Sequence, residues 1–205
     1  MTAKIKLNAA SGGGSVSLQA PSSSSNNRVI SLPDIADGTL LTSQSTGLGK
    51  ILQVVQTVKT SKQTIQSTSL TDIAGMSVTI TPSSSSNKVL IKYSLFIFLN
   101  SAQYWNMRLV RGSDSTIFIG DQNASATSQS RGSFGSYTTS YVDGRCVAQE
   151  FLDSPNTTSA TTYKLQAHTP YSSSYILGIN SSPQLDNYTY MSNGVSTITV
   201  MEVAA

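Results

Sequence analysis

The chain has 205 residues, longer than a usual single domain, and this length suits one domain of about 150 residues with an appendage better than two equal halves. Charged residues make up only 11% of it, against about a quarter in an average globular chain, so solubility rests on hydroxyls and amides. A net charge of +3 from scattered basic residues argues against a nucleic-acid-binding stripe or a membrane patch, and no stretch approaches the roughly 18 uninterrupted apolar residues of a membrane span.

Residues 1–14 lack the apolar stretch of a secretion signal. Residues 1–50 are poor in large apolar side chains and are broken by Gly12-Gly13-Gly14, a serine run, Pro33 and Gly38. Such a segment buries too little surface to fold alone. Ile5 and Leu7 alternate, as do Val16 and Leu18, and Val29, Ile30 and Leu32 form a third apolar run. The expectation is an extended arm of short strands, with the three glycines as its flexible joint, that gains main-chain hydrogen bonds on a partner's sheet edge.

One unit occurs twice. Ser15-Val16-Ser17-Leu18, Pro21, four serines, Asn26-Asn27-Arg28 and Val29-Ile30 is echoed by Ser77-Val78-Thr79-Ile80, Pro82, four serines, Asn87-Lys88 and Val89-Leu90. An alternating run, a breaker-rich turn and a second run opened by a cation read as a hairpin in each copy.

From Ile51 onward the runs are longer and rich in β-branched residues, which favour strands over helices. Strands are predicted near 51–59, 63–69, 76–82, 88–99, 104–111, 116–120, 134–142, 146–152, 160–168, 174–180 and 195–203. Arg111-Gly112-Ser113-Asp114, Asp143-Gly144 and Asn193-Gly194 supply turns between them. The predicted fold is all-β: a jelly-roll-like antiparallel β-sandwich over residues 51–205, preceded by the extended arm over residues 1–50.

Tyr93 to Leu99 is apolar at almost every position, so both faces of that strand need cover. A subunit interface through Leu95, Phe96, Ile97, Phe98 and Leu99 is the preferred explanation. Tyr104 to Arg111 alternates instead, with Trp105, Met107 and Leu109 inward and Tyr104, Asn106, Arg108 and Val110 outward. Cys146, the lone cysteine, excludes an intrachain disulfide; it reads as a small buried hydrophobe in a reducing cytoplasm.

Catalytic patterns are scarce. His168 is the single histidine, no Gly-x-Ser-x-Gly elbow occurs, and one His with one Cys cannot make a zinc site unaided. Gly12-Gly13-Gly14 lacks the Lys-Ser/Thr ending of a phosphate loop. Asp143, Glu150 and Asp153 lie within one region but read as solvated charges rather than a glycosidase pair. The expectation is a non-enzymatic protein with no catalytic residues, no metal and no cofactor. Tyrosines in turn-rich contexts, Tyr137, Tyr141, Tyr171 and Tyr188 among them, match the composition of adaptable binding loops.

Three stretches carry a resemblance: residues 12–41, residues 107–121 and the ending Ser196-Thr197-Ile198-Thr199-Val200-Met201-Glu202-Val203. The chain resembles tailed-bacteriophage virion proteins of tail fibres and head decorations, especially those of marine phages. That resemblance implies a homotrimer on the virion surface, assembled in the host cytoplasm. Ile5, Leu7, Val16, Leu18, Val29 and Leu32 would attach the arm to other virion proteins of the capsid, neck or tail. The sandwich would be displayed as a short knob or decoration, or as an adhesin whose Tyr137, Tyr141, Tyr171 and Tyr188 contact host surface polysaccharide.

Overall fold

The computed structural model describes residues 4–8, 11–19, 23, 50–112, 115–117, 133–138, 144–182 and 193–205. The chain divides into two units, residues 1–44 and 45–205, and among the described residues every regular element is a strand. In the first unit, β1 (Lys4–Asn8) and β2 (Ser15–Gln19) pair antiparallel, with Ile5 opposite Leu18 and Leu7 opposite Val16. Gly12 and Gly13, at φ 85° and 69°, turn the chain between them in a conformation that costs other residues energy. The expected joint is therefore a hairpin turn. Ile5 and Leu7 are 65% and 62% exposed. Val29 and Leu32 lie outside the described residues.

The second unit contains β3 (Ile51–Lys59), β4 (Gln63–Ile65), β5 (Thr71–Ile80), β6 (Lys88–Leu99), β7 (Gln103–Arg111), β8 (Ser115–Ile117), β9 (Phe134–Thr138), β10 (Arg145–Asp153), β11 (Thr161–His168), β12 (Leu177–Ile179) and β13 (Ser196–Val203). They build the expected sandwich: two antiparallel sheets, one of them strongly curled into a half-barrel. In the six-stranded sheet β6 is central, with β10 on one side and β13 and β12 in tandem on the other; β3 and β4 follow outside these. The five-stranded sheet runs β5-β11-β7, with β8 and β9 in tandem beyond β7. Between the sheets lies one core, to which β6 contributes Val89, Ile91, Tyr93, Leu95, Ile97 and Leu99 and the facing sheet contributes Met76, Trp105, Met107, Tyr163 and Leu165.

Side chains rather than a backbone ladder join the sheets along β3 and β5. Gln53 Nε2 donates to Thr81 O at 2.7 Å, Thr57 Oγ1 to Ser77 O at 2.8 Å, and Ala74 N to Gln63 Oε1 at 2.9 Å. The predicted strand 63–69 stops at Ile65 because Ser67 Oγ accepts from Ser69 N and donates to Ser69 O, curling the chain. The strand predicted from residue 76 starts earlier, at Thr71, across a bulge where Gly75 has φ 77°.

In its second copy the repeated unit is not a hairpin, and the second run of the first copy lies outside the described residues. In the first copy β2 pairs backward with β1. In the second, β5 and β6 belong to different sheets, so Pro82 and the four serines form a corner between layers. Glu202, 1% exposed, fastens that corner: it accepts from Ser83 N and Ser83 Oγ at 2.7 Å each, from Asn87 Nδ2 at 2.6 Å and from Gln53 Nε2 at 2.7 Å. Burial pushes its carboxyl upward, but these four hydrogen bonds outweigh that and bring it down to about 2.

The apolar run in β6 is covered within the chain, which corrects the expected subunit interface. Leu95, Ile97 and Leu99 are fully buried in the core and Phe98 is 4% exposed; only Phe96 remains half-buried. On the outer face the Phe96 and Phe98 rings meet edge to face at 5.3 Å. A Cβ on Gly144 would collide with the Phe98 ring, and one on Gly194 with Phe96. The two glycines expected as plain turn formers thus let their own backbone lie directly against the phenyl rings. Cys146 is also corrected, since it is exposed on the outer face of β10, 3.1 Å from Ser94 Oγ. Val110, expected outward, is fully buried.

Candidate binding surface

Outward-facing positions on β7 and β9 bring aromatics together at one end of the sandwich. Register places Tyr104 opposite Tyr137 and Asn106 opposite Gly135. The Tyr104 and Tyr137 rings lie 4.7 Å apart at 48° and are 56% and 46% exposed. Both rings have water on one side, so their apolar area is available to a ligand.

A second pair sits on the β11–β12 connection. Tyr171, 75% exposed, stacks on Tyr175 with ring centres 6.2 Å apart. Thr169 Oγ1 pins this loop by donating to Ser67 O and Ser172 O at 3.2 Å each. The loop is also tied to the β6–β7 turn: Ile176 N donates to Asn100 Oδ1 at 2.8 Å and Gln103 Nε2 to Ile176 O at 3.2 Å. Gln103 precedes Tyr104, so both tyrosine pairs belong to the same end of the domain.

Polar groups continue this surface along β7. Asn106 lies between Gly135 on β9 and His168 on β11. A Cβ on Gly135 would strike Asn106 Oδ1, so the amide lies flat over the glycine. His168 Nδ1 donates to Thr68 O at 2.9 Å, which orients the ring. One row further, Arg108 Nε donates to Gln166 Oε1 at 2.7 Å and Gln166 Nε2 donates to Asp72. The Gln166 amide, and then the Lys164 ammonium at 3.0 Å, hold the Asp72 carboxyl below its usual range.

Of the residues expected to contact a receptor, Tyr137 and Tyr171 lie on this end and are exposed; Tyr141 and Tyr188 lie outside the described residues. Tyr104, Asn106 and Gly135 were missed as site residues. Alternation does put Tyr104 outward, but its pairing with Tyr137 is set by strand register across 33 positions of chain.

The remaining polar clusters serve structure. Arg111 Nη1 donates to Asp153 Oδ1 and Oδ2 at 2.8 and 2.7 Å, and Tyr163 Oη donates to Oδ2 at 2.8 Å, joining the two sheets. Burial, with the Asp153 contact, raises the Tyr163 hydroxyl well above its ordinary range. An open groove of about 600 Å³ beside them includes Arg111, Thr157, Thr162 and Lys164, but both of its cations already have carboxylate partners. Glu150 pairs with Lys92 at 3.2 Å on the exposed face of the other sheet. Among the described residues no three His, Cys, Asp or Glu side chains gather as metal ligands, and no helix is long and apolar enough to cross a membrane.

Compared with known proteins, the chain matches no family model and no curated sequence.

Proposed function

We propose that this chain is a non-enzymatic structural protein of a phage virion, held to other virion proteins by its N-terminal unit and displaying a self-associated, trimeric sandwich on the particle surface. The observation that carries this reading is the split into an N-terminal unit whose described strands leave Ile5 and Leu7 exposed and a separate sandwich with its own sealed core. A two-stranded hairpin is by itself at best marginally stable in water, and the exposed Ile5 and Leu7 suit a partner surface. The sequence resemblance supplies the virion context.

Self-association is re-based on a different face from the one expected. Val54, Met201, Leu90 and Leu152 lie side by side in register on the outer face of the six-stranded sheet, with Val54 57% and Leu152 46% exposed and Leu52, at 51%, beside them. This apolar strip crosses four strands, about 14 Å at normal strand spacing. The next row, Gln56, Thr199, Lys92 and Glu150, carries equal and opposite charge, which suits a second copy of the same surface. A strip spanning the sheet can line a threefold axis, the β10 end of one copy meeting the β3 end of the next.

Light scattering on the full chain tests the assembly. The expected mass is three times 21.7 kDa, falling to the monomer in the Val54→Lys/Leu152→Lys double variant, whose sites are exposed and do not support the core. A monomeric wild type, or a trimer indifferent to the double variant, refutes this interface. Removing residues 1–41 should abolish incorporation into particles while the rest still folds; undiminished occupancy would overturn the anchoring role. The exposed tyrosine pairs favour a second role, as a receptor-binding adhesin.

A further inference from the structure

We propose that the Tyr104–Tyr137 pair, with Asn106 and His168 beside it, is a binding site for neutral saccharide, a proposal that rests on the display reading only in requiring this end of the sandwich to face outward. A sugar ring offers one apolar face of C–H groups and a rim of hydroxyls. Recognition therefore needs an exposed aromatic face next to fixed groups that both donate and accept hydrogen bonds.

The surface has both. Tyr104 and Tyr137 present rings that are about half exposed, held 4.7 Å apart on adjacent strands rather than on a loop. Strand mounting lowers the entropy lost when a ligand docks. Two residues along β7, the Asn106 amide makes no hydrogen bond to any described residue and lies against Gly135, in space that a Cβ there would occupy. An amide offers two N–H donors and a carbonyl acceptor. Across the register from Asn106, the Nδ1 bond to Thr68 O orients His168.

Charge decides the class. Asp72 beyond this row is engaged by Lys164 and Gln166, and Arg108 by Gln166, so each charged group there is already hydrogen-bonded within the protein. An acidic polymer or a charged peptide gains little there, whereas uncharged hydroxyls match the amide and imidazole.

The test is retardation of the purified full chain in native gels containing dextran, mannan, galactan or xylan, each uncharged, with alginate as the acidic control. Retardation by at least one neutral polymer is expected, weakened about tenfold by Tyr104→Ala and by Tyr137→Ala. Gly135→Ala, which displaces the Asn106 amide without touching either ring, should weaken it about threefold, with unchanged thermal unfolding as the folding control. No retardation by any neutral polymer, binding to alginate alone, or retention in both tyrosine variants overturns the proposal. Particle incorporation of the same variants separates the two readings: normal occupancy without saccharide binding sinks only this one, and lost occupancy with binding intact sinks the anchoring scheme.

Discussion

Replacing Glu202 with alanine removes the acceptor that joins the second serine run, β3 and β13. Ser83 N loses its bond outright, while Asn87 and Gln53 each keep one other contact, to Ser83 Oγ at 3.3 Å and to Thr81 O at 2.7 Å. Bonds to a charged acceptor contribute about 1.5–3 kcal/mol each, and part of this is regained when water reaches the freed donors, so a net loss of about 3 kcal/mol is expected. For a domain of this size that lowers the melting temperature by about 6–12 °C. The carboxyl falls from its ordinary 4.5 to about 2 on folding, so its contribution is complete above pH 4.5 and is lost as pH falls through 2. At about 1.4 kcal/mol per pH unit, reduced for solvent screening near the surface, this loss amounts to about 2 kcal/mol. Urea denaturation of wild type and Glu202→Ala at pH 7 and pH 2 measures it: the gap between the two proteins should narrow by that amount in acid. A difference below about 0.5 kcal/mol at pH 7, or one that stays constant with pH, refutes the latch.

Asn180, buried at φ 63°, splices β12 to β13: its N–H donates to Phe96 O at 2.9 Å, its Nδ2 donates to Lys59 O at 2.7 Å, and its Oδ1 accepts from Ser196 Oγ at 2.6 Å. Asn180→Ala keeps the backbone bond to Phe96 O but removes the partners of Lys59 O and Ser196 Oγ, and should cost about 3 kcal/mol in urea denaturation, against less than 0.5 kcal/mol for alanine at exposed Thr64. Gly194→Ala drives a Cβ into Phe96 at its own Cβ and ring base, positions no rotamer change relieves, and should lower stability by about 1–3 kcal/mol by the same assay. Cys146, on the outer face of β10, should react to completion with an Ellman-type reagent in the folded protein; reaction only after unfolding would contradict its exposure.

Local pattern was enough to settle much of the sandwich. β-branched alternation marks β3 and β6 at their observed bounds, and the alternation of Trp105, Met107 and Leu109 marks the inward face of β7, because a strand's side-chain period is a property of its own backbone. The outward position of Tyr104 follows from the same period. Local pattern failed wherever a residue's role depends on what crosses it. Two strands flanking a serine-rich turn look alike whether they pair or part, and only packing sent β5 and β6 into different sheets. The phenyl rings of Phe96 and Phe98 looked like a subunit interface because the cover comes from Gly144 and Gly194, far along the chain, which contribute space rather than side chains. Gly135 and Asn106 became neighbours, and Tyr104 met Tyr137, through the antiparallel register of β7 and β9, which pairs residues about thirty positions apart. What the sequence determined by itself is therefore the strands, their inward faces and the all-β class, which depend on near neighbours. The tertiary structure alone decided the layers, the exposed strip and the aromatic surface, since these arise from contacts between residues that no local period relates.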